Sequence, residues 1–158
     1  MVRRKEVEKK MKEQKGMTLI ELIIVLVIIA IGATLMVPGI NSWMPYYRLR
    51  SATRDIASTM RVAQMKAISN NLQYRVSFDP ANRNYILQYR DTSGTWINDS
   101  EAKTLETGIQ LGTNFIGNIA TFFPDSTADK GIITLTNTKG SVKTIRLLVS
   151  VGGRIRIE

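Results

Sequence analysis

The chain has 158 residues, of which 44% are hydrophobic and 22% charged, a composition that is normal for a folded protein and excludes a disordered one. It contains neither Cys nor His, which excludes a disulfide framework, a thiolate zinc site and a cysteine nucleophile, and removes the commonest general base and transition-metal ligand. The formal net charge of +9 favours contact with an anionic partner, either nucleic acid or lipid headgroups.

A short charged segment begins the sequence, and a long apolar run follows it. Residues 1–16 carry seven Lys/Arg and three Glu, a net charge of +4, whereas the 23 residues from Leu22 to Met44 carry no charge. As a helix this run reaches ~34 Å, enough to cross a hydrocarbon core of ~30 Å. Positive charge before the run predicts a single-pass transmembrane helix with a cytoplasmic N-terminus and the remaining chain outside the cytoplasm.

Three interpretations of the apolar run compete: a signal anchor, a secretory signal peptide and a buried globular helix. A signal peptide fits poorly, because the run is long and lacks a small-x-small cleavage site followed by a polar domain. A buried helix fits poorly as well, since the ten aliphatic residues from Leu22 to Ile31 need a larger core than this chain can build. None of the three explains Glu21, an acid at the edge of the run, where a carboxylate is costly unless paired.

The sequence KGMTLIEL resembles the leader motif of type IV prepilins, in which a basic stretch ends in Gly and is followed by [MF]TLIEL. In that family a membrane enzyme, the prepilin peptidase, cuts after the Gly and methylates the new N-terminal residue. The resemblance implies cleavage between Gly16 and Met17 and N-methylation of Met17. It also makes Glu21 the family's fifth-position acid and Pro38 its helix-kinking proline. Met11 offers a second start with the shorter leader MKEQKG, and the sequence does not decide between the two.

The resemblance further implies that Glu21 acts in filament assembly. Cleavage creates an amine at Met17, and Glu21 lies four residues later, about one helical turn away. In a staggered filament, Glu21 of one subunit can meet the amine of a neighbour. Such a charge pair inside an apolar bundle sets the register, because a misaligned subunit leaves both charges unpaired. A pair within one chain is the alternative and would set no register.

The helix is predicted to continue as an amphipathic segment over residues 45–71. Pro38 and Pro45 are the expected kinks or points of local unwinding, and Asn70–Asn71 suit the helix C-terminus. An apolar stripe one face wide predicts packing against a core rather than a docking site. Its members recur at steps of three and four residues: Leu49, Ala52, Ile56, Met60, Ala63 and Ala67.

Beyond Asn71 the apolar period changes to two, which predicts strands LQYRVSF, YILQYRD and WIND separated by the turns DPANRN and SGT. Residues 99–118 are predicted to be loop with one strand near Thr107–Leu111, and IATFF, GIITLTN, VKTIRLLVSV and RIRIE are further strands. The chain is thus predicted to be α+β, with a long N-terminal transmembrane and amphipathic helix packed on an antiparallel β-sheet, which is also the pilin fold. The predicted division is a cleaved leader (1–16), a transmembrane and filament-core segment (17–44), an amphipathic helix segment (45–71) and a β-rich globular domain (72–158).

The C-terminal stretch GGRIRIE is similar to the GRxR tail of the FimT branch of the GspH/FimT minor pilin family, which is implicated in binding DNA during natural transformation. In a strand, Arg154 and Arg156 point to the same side ~6.6 Å apart, while Ile155 and Ile157 face the core. Each guanidinium can fork onto a phosphate, so double-stranded DNA is the implied partner.

Other residues are expected to support this tentative DNA site. Gly153 allows close backbone approach, and Lys143 and Arg146, with Lys139, widen the basic surface if their hairpin lies beside the tail. Glu158 shares the face of the arginines and partly neutralises them. The alternatives are that these arginines solvate an edge strand or contact a pilin partner.

Catalysis, metal binding and a cofactor are not predicted. Without His or Cys an enzyme would depend on Ser, Lys or carboxylates, and Asp79, Asp91, Asp99 and Asp125 all lie in predicted turns, where Asp ordinarily serves the backbone. The loop DTSGTWIND lacks the dense acidic spacing of an EF-hand.

Two functions remain open. The first is a minor pilin or pseudopilin subunit of a type IV pilus or a type II secretion-like filament, with DNA binding at the tail for DNA uptake. The alternative is a GspH-like pseudopilin with a purely structural role. The implied partners are other pilins or pseudopilins, the prepilin peptidase, the inner membrane and DNA. The implied location is the bacterial inner membrane before assembly and a periplasmic or extracellular filament afterwards.

Overall fold

A computed structural model describes residues 17–148 and 154–158, without the side chains of residues 35–41 and 148. The predicted leader, with Gly16, and the tail glycine Gly153 therefore lie outside the described residues. Contacts between Cα atoms divide the chain into two compact units, one that ends at Ser42 and one that runs from Trp43 to Glu158.

One long helix, α1, spans Leu19–Asn70, 52 residues. Its backbone is helical at Pro38 and Pro45, so neither proline ends it, and a kink at either stays a prediction. The predicted end of the helix is confirmed: Asn71 has a φ of 53°, a left-handed conformation that Asn tolerates and that terminates a helix.

Among the residues that the structure describes, no helical stretch is both long and apolar enough to cross a membrane. The predicted transmembrane segment also includes residues 35–41, whose side chains lie outside the description.

The apolar stripe of α1 is buried, as its spacing predicted. Ile56, Met60, Ala63 and Ala67 have no exposed surface, and Leu49 and Ala52 are also buried. Three of these six residues are alanines, which have small side chains and let the strands approach the helix closely. The stripe is therefore part of the core of the globular unit.

Strands follow the helix in the described part of the chain. In chain order they are β1 (Tyr74–Asp79), β2 (Asn84–Arg90), β3 (Trp96–Asn98), β4 (Lys103–Thr104), β5 (Ile109–Thr113), β6 (Ile119–Phe122), β7 (Gly131–Asn137), β8 (Val142–Leu148) and β9 (Arg154–Ile157), with a short 3-10 turn at Ile116–Asn118.

The strands form two antiparallel sheets. The first has the order β3-β2-β1-β6, with β4 also paired to β2, and the second has the order β5-β7-β8-β9. The predicted α+β class with a helix on antiparallel strands is confirmed, and the division into two sheets is an addition that the alternation pattern did not reveal. Alternation did identify the buried face of β1, where Tyr74, Val76 and Phe78 are buried.

Strand β9 is the edge of the second sheet, and its register with β8 pairs Ile155 with Leu147 and Ile157 with Ile145. Ile145 and Leu147 are fully buried, and Ile155 packs against the core. Ile157 lies on the predicted face, opposite Ile145, but it is 39% exposed and therefore is not part of the core. It lies on the helix side of the sheet, but on an edge strand it reaches only an open groove.

Candidate functional site

The start of helix α1 is built by the TLIE sequence itself. Thr18 precedes the first helical residue, and its Oγ1 accepts a hydrogen bond from the backbone N–H of Glu21 at 3.3 Å. Thr at the N-cap and Glu three residues later is the pattern of a capping box, which satisfies N–H groups that have no partner within the helix. Glu21 also places an acid in the first turn, where the helix dipole favours negative charge.

The residues around Glu21 have no cover within the described chain. Every residue from Met17 to Ile31 is exposed, including the unbroken aliphatic stretch that begins at Leu22. A contiguous apolar surface of this length is not stable in water and indicates a surface that lipid or other protein covers. Glu21 is therefore an acid on a helix that needs a partner.

The tail places its arginines on one exposed face of the second sheet. Arg154 and Arg156 are both exposed, and Arg156 lies directly opposite Arg146 across the β8–β9 pair. Residues directly opposite each other in an antiparallel pair have side chains on the same face. The structure thus brings three of the sequence-predicted residues together.

Two other predicted features of the tail differ in the structure. Glu158 forms an ion pair with Arg146 at 3.3 Å, so the cation that it neutralises is Arg146. Lys143 lies opposite the buried Leu135, on the face of β8 that carries Ile145 and points toward the helix. It is therefore separated from the tail arginines and lines the groove beside α1.

The turn aspartates serve the backbone, as predicted, at three of the four positions. The Ser93 hydroxyl and the Thr95 N–H hold the pKa of Asp91 below its usual value, and Asp79 and Asp125 are bound in the same way. Asp99 instead forms an ion pair with Lys66 of α1 at 2.6 Å. Across residues 17–148 and 154–158, no group of acidic side chains could hold a metal ion.

A second polar contact, between α1 and the first sheet, was not predicted from the sequence. Asp55 of α1 accepts hydrogen bonds from the Tyr85 hydroxyl of β2 and from Lys103 Nζ of β4. Burial alone would raise the pKa of Asp55, but the bonds from Tyr85 and Lys103 outweigh it and lower the pKa. These residues lie far apart in the sequence, so no local pattern links them.

Comparison with known proteins finds a match for the N-terminal segment of the chain and separate matches for its fold. Residues 11–37 match the family model described as the prokaryotic N-terminal methylation motif. The fold matches the minor pseudopilin EpsH of the type 2 secretion system of Vibrio cholerae, with a TM-score of 0.61 and 11% identity over 70% of this chain and 96% of that chain. It also matches the type IV minor pilin FimU of Pseudomonas aeruginosa, with a TM-score of 0.57 and 14% identity over 72% and 90% of the two chains.

The chain carries a prokaryotic N-terminal methylation motif and has the fold of the two minor pilin-type structures. The predicted resemblance is confirmed in its two independent parts, the prepilin methylation motif and the pilin fold. In this pilin-like protein the matched motif includes Met17, Thr18 and Glu21. The identities to the solved structures establish the fold alone, so the roles of individual residues rest on their geometry.

Proposed function

We propose that this pilin-like protein is a minor pilin or pseudopilin subunit, anchored in the bacterial inner membrane as a precursor with a cytoplasmic N-terminus. It is then assembled with other pilins into a filament of the type IV pilus or type II secretion class. The observation that carries this proposal is a methylation motif whose residues Met17 to Ile31 are all exposed, helical from Leu19 onward, on a chain with a pilin fold. Such a subunit acts through packing and not through catalysis.

Processing prepares the N-terminus for that role. The prepilin peptidase cuts between Gly16 and Met17 and methylates Met17. The new cationic amine then stands directly before the Thr18 cap, where the positive end of the helix dipole already favours an anion. The carboxylate of Glu21 from a neighbouring subunit is attracted to this position and fixes the axial register of the helices, because a shifted helix leaves a charge unpaired in apolar surroundings.

The capping geometry gives Glu21 a second role, in capping its own helix. One pair of variants separates this capping role from the role in setting the register between subunits. Glu21→Gln keeps a side chain that suits the third position of a capping box but removes the charge, whereas Glu21→Ala removes both. The register role predicts that both variants are cleaved normally and that both enter sheared filaments at least about tenfold less than the native subunit, since 1.4 kcal/mol corresponds to a factor of ten.

Glu101→Ala removes an exposed carboxylate of the globular unit and serves as the matched control. It should enter filaments at the native level. Normal incorporation of Glu21→Gln would assign Glu21 to helix capping, and normal incorporation of both Glu21 variants would remove it from assembly.

A second function, binding of double-stranded DNA for DNA uptake, is supported by the tail face. Arg154 and Arg156 are exposed on one side of β9, so both guanidiniums can reach a phosphate backbone. Arg75 covers one face of the Trp96 ring at 4.0 Å, which removes that face as a stacking platform for an unpaired base. Contacts of this kind are independent of base sequence and weaken steeply as salt rises.

The DNA proposal is tested with residues 43–158, a fragment that contains every buried core residue of the described chain. It is titrated with duplex DNA at low and moderate salt, beside Arg154→Ala/Arg156→Ala. The control Arg61→Ala/Lys130→Ala removes two exposed cations elsewhere. Loss of salt-sensitive binding in the tail variant alone supports DNA uptake. Equal binding by all three proteins would leave the GspH-like structural role, with Arg154 and Arg156 solvating an edge.

A further inference from the structure

An open groove lies on the globular unit, between the beginning of its helical segment and the end of the second sheet. Its volume is about 540 Å³, within the range of small-molecule sites. Buried Leu49 and Thr53 of α1 form its floor. Lys143 and Ile157 reach it from β8 and β9, so three elements of the fold line the groove.

The groove collects positive charge from both sides. Arg50 and Arg54 are one helical turn apart on α1, and Lys143 extends from β8. No Asp or Glu lines it, and within the described residues these three cations form no ion pair or side-chain hydrogen bond. Like charges four residues apart on a helix repel each other. An anion in the groove would relieve that repulsion, so the side chains of the groove favour an anionic ligand.

Apolar and aromatic side chains stand beside these cations. Tyr46, Val142 and Ile157 line the groove and are exposed to solvent. Next to it, Trp43 and Tyr47 are exposed and in ring contact, with centroids 5.4 Å apart. Trp and Tyr are enriched where a protein meets the headgroup layer of a membrane. Cations bordered by apolar side chains fit an amphiphile better than a bare polyanion.

The position of the groove along the chain agrees with a membrane surface. Met44 is the last residue of the uncharged run, and Arg50 follows it by six residues. At ~1.5 Å per residue, Arg50 lies ~9 Å beyond Met44 along the helix, and the headgroup layer extends ~5–7 Å from each face of the hydrocarbon core. The flexible stem of an arginine covers the remaining distance.

We propose that this groove binds the phosphate headgroup of an anionic phospholipid and seats the globular unit on the membrane surface before the subunit enters a filament. The proposal rests on the membrane anchoring put forward under the proposed function. It adds a lipid site made by the globular unit itself, formed by Arg50, Arg54 and Lys143 with Tyr46.

The test is co-sedimentation of residues 43–158 with vesicles of phosphatidylcholine alone or with about one third phosphatidylglycerol. We expect the fragment to bind the anionic vesicles at least about tenfold more tightly, since each basic residue near such a surface contributes roughly 1 kcal/mol. Arg50→Gln/Lys143→Gln removes one cation of the groove from α1 and one from β8, and this variant should lose most of the preference for anionic vesicles. Arg61→Gln/Lys130→Gln removes the same charge from other exposed positions and should keep it.

Three outcomes would overturn the proposal. The first is an equal loss in both double variants, which would mean that net charge alone attracts the fragment. The second is saturable binding of inorganic phosphate by the fragment without any preference for the anionic vesicles, which would identify a site for free phosphate. The third is native vesicle binding by Arg50→Gln/Lys143→Gln with weakened binding to duplex DNA, which would make the groove a DNA site. The fragment lacks Met17 and Glu21, so failure of filament assembly leaves this result unaffected.

Discussion

Arg146 and Arg156 lie directly opposite each other on the adjacent antiparallel strands β8 and β9, and Glu158 forms an ion pair with Arg146 at 3.3 Å. Like charges directly opposite each other destabilise a strand pair, and Glu158 offsets one of the two. The tail face therefore holds a neutralised cation beside the exposed Arg154 and Arg156.

Removing the charge of Glu158 should strengthen any binding of DNA to this face. In Glu158→Gln, Arg146 is no longer neutralised, and we expect tighter binding to duplex DNA and a salt slope steeper by about one. The measurement is the dissociation constant against salt concentration, with Glu101→Gln as the control for net charge. An unchanged slope in Glu158→Gln would show that Arg146 takes no part.

Two methionines of α1 test the packing of the helix on the sheets. Met60 has no exposed surface, whereas Met65 is 61% exposed. Met60→Ala should lower the free energy of unfolding by about 2–5 kcal/mol, because it removes buried contacts and leaves a cavity. Met65→Ala should change it by less than about 0.5 kcal/mol. Urea denaturation measures both, and similar values for the two variants would place the packed face elsewhere.

A glycine at the start of β7 allows the Phe115 ring to pack. A methyl group at Gly131 would overlap this buried ring, whereas one at Gly112 would make only an ordinary contact with the Thr134 backbone. Gly131→Ala should therefore destabilise the fold by about 1–3 kcal/mol, and Gly112→Ala should cost much less. Thermal unfolding compares the two variants, and a neutral Gly131→Ala would contradict this packing.

The bond between Tyr85 and Asp55 gives the stability a defined pH dependence. The pKa of Asp55 is lowered from its ordinary 3.8, because the bonds from Tyr85 and Lys103 outweigh its burial. Its stabilisation is present above that ordinary value and is lost as pH falls through the lower folded value. Burial and Asp55 raise the pKa of Tyr85, so its contribution is present below about pH 10 and is lost as pH rises further.

Tyr85→Phe should therefore reduce the free energy of unfolding by about 1 kcal/mol at neutral pH. It should also flatten the stability profile below pH 4 and above pH 10. Tyr89→Phe is the control, since its hydroxyl makes no hydrogen bond among the described residues. A profile of Tyr85→Phe that keeps the native curvature would assign the pH dependence to other groups.

The sequence predicted which face of the helix and of β1 is buried, but it did not predict which strands pair with each other. The period of the apolar residues identified the buried stripe with Met60 and the buried face of β1, because each depends only on local geometry. The two-residue strand β4 and the bond from Tyr85 to Asp55 depend on pairing between distant segments, for which a single sequence gives no signal. Lys143 is different: its even spacing from Ile145 and Leu147 already predicts the helix side of β8, away from Arg146.

The central claim, that this chain is a prepilin processed for filament assembly, is tested most directly at its N-terminus. The full chain is produced with a prepilin peptidase, and mass spectrometry identifies the N-terminal residue of the product. The account predicts a product that begins with N-methylated Met17, whichever Met starts translation. A precursor that stays intact, or is cut at a bond other than that between Gly16 and Met17, would contradict it.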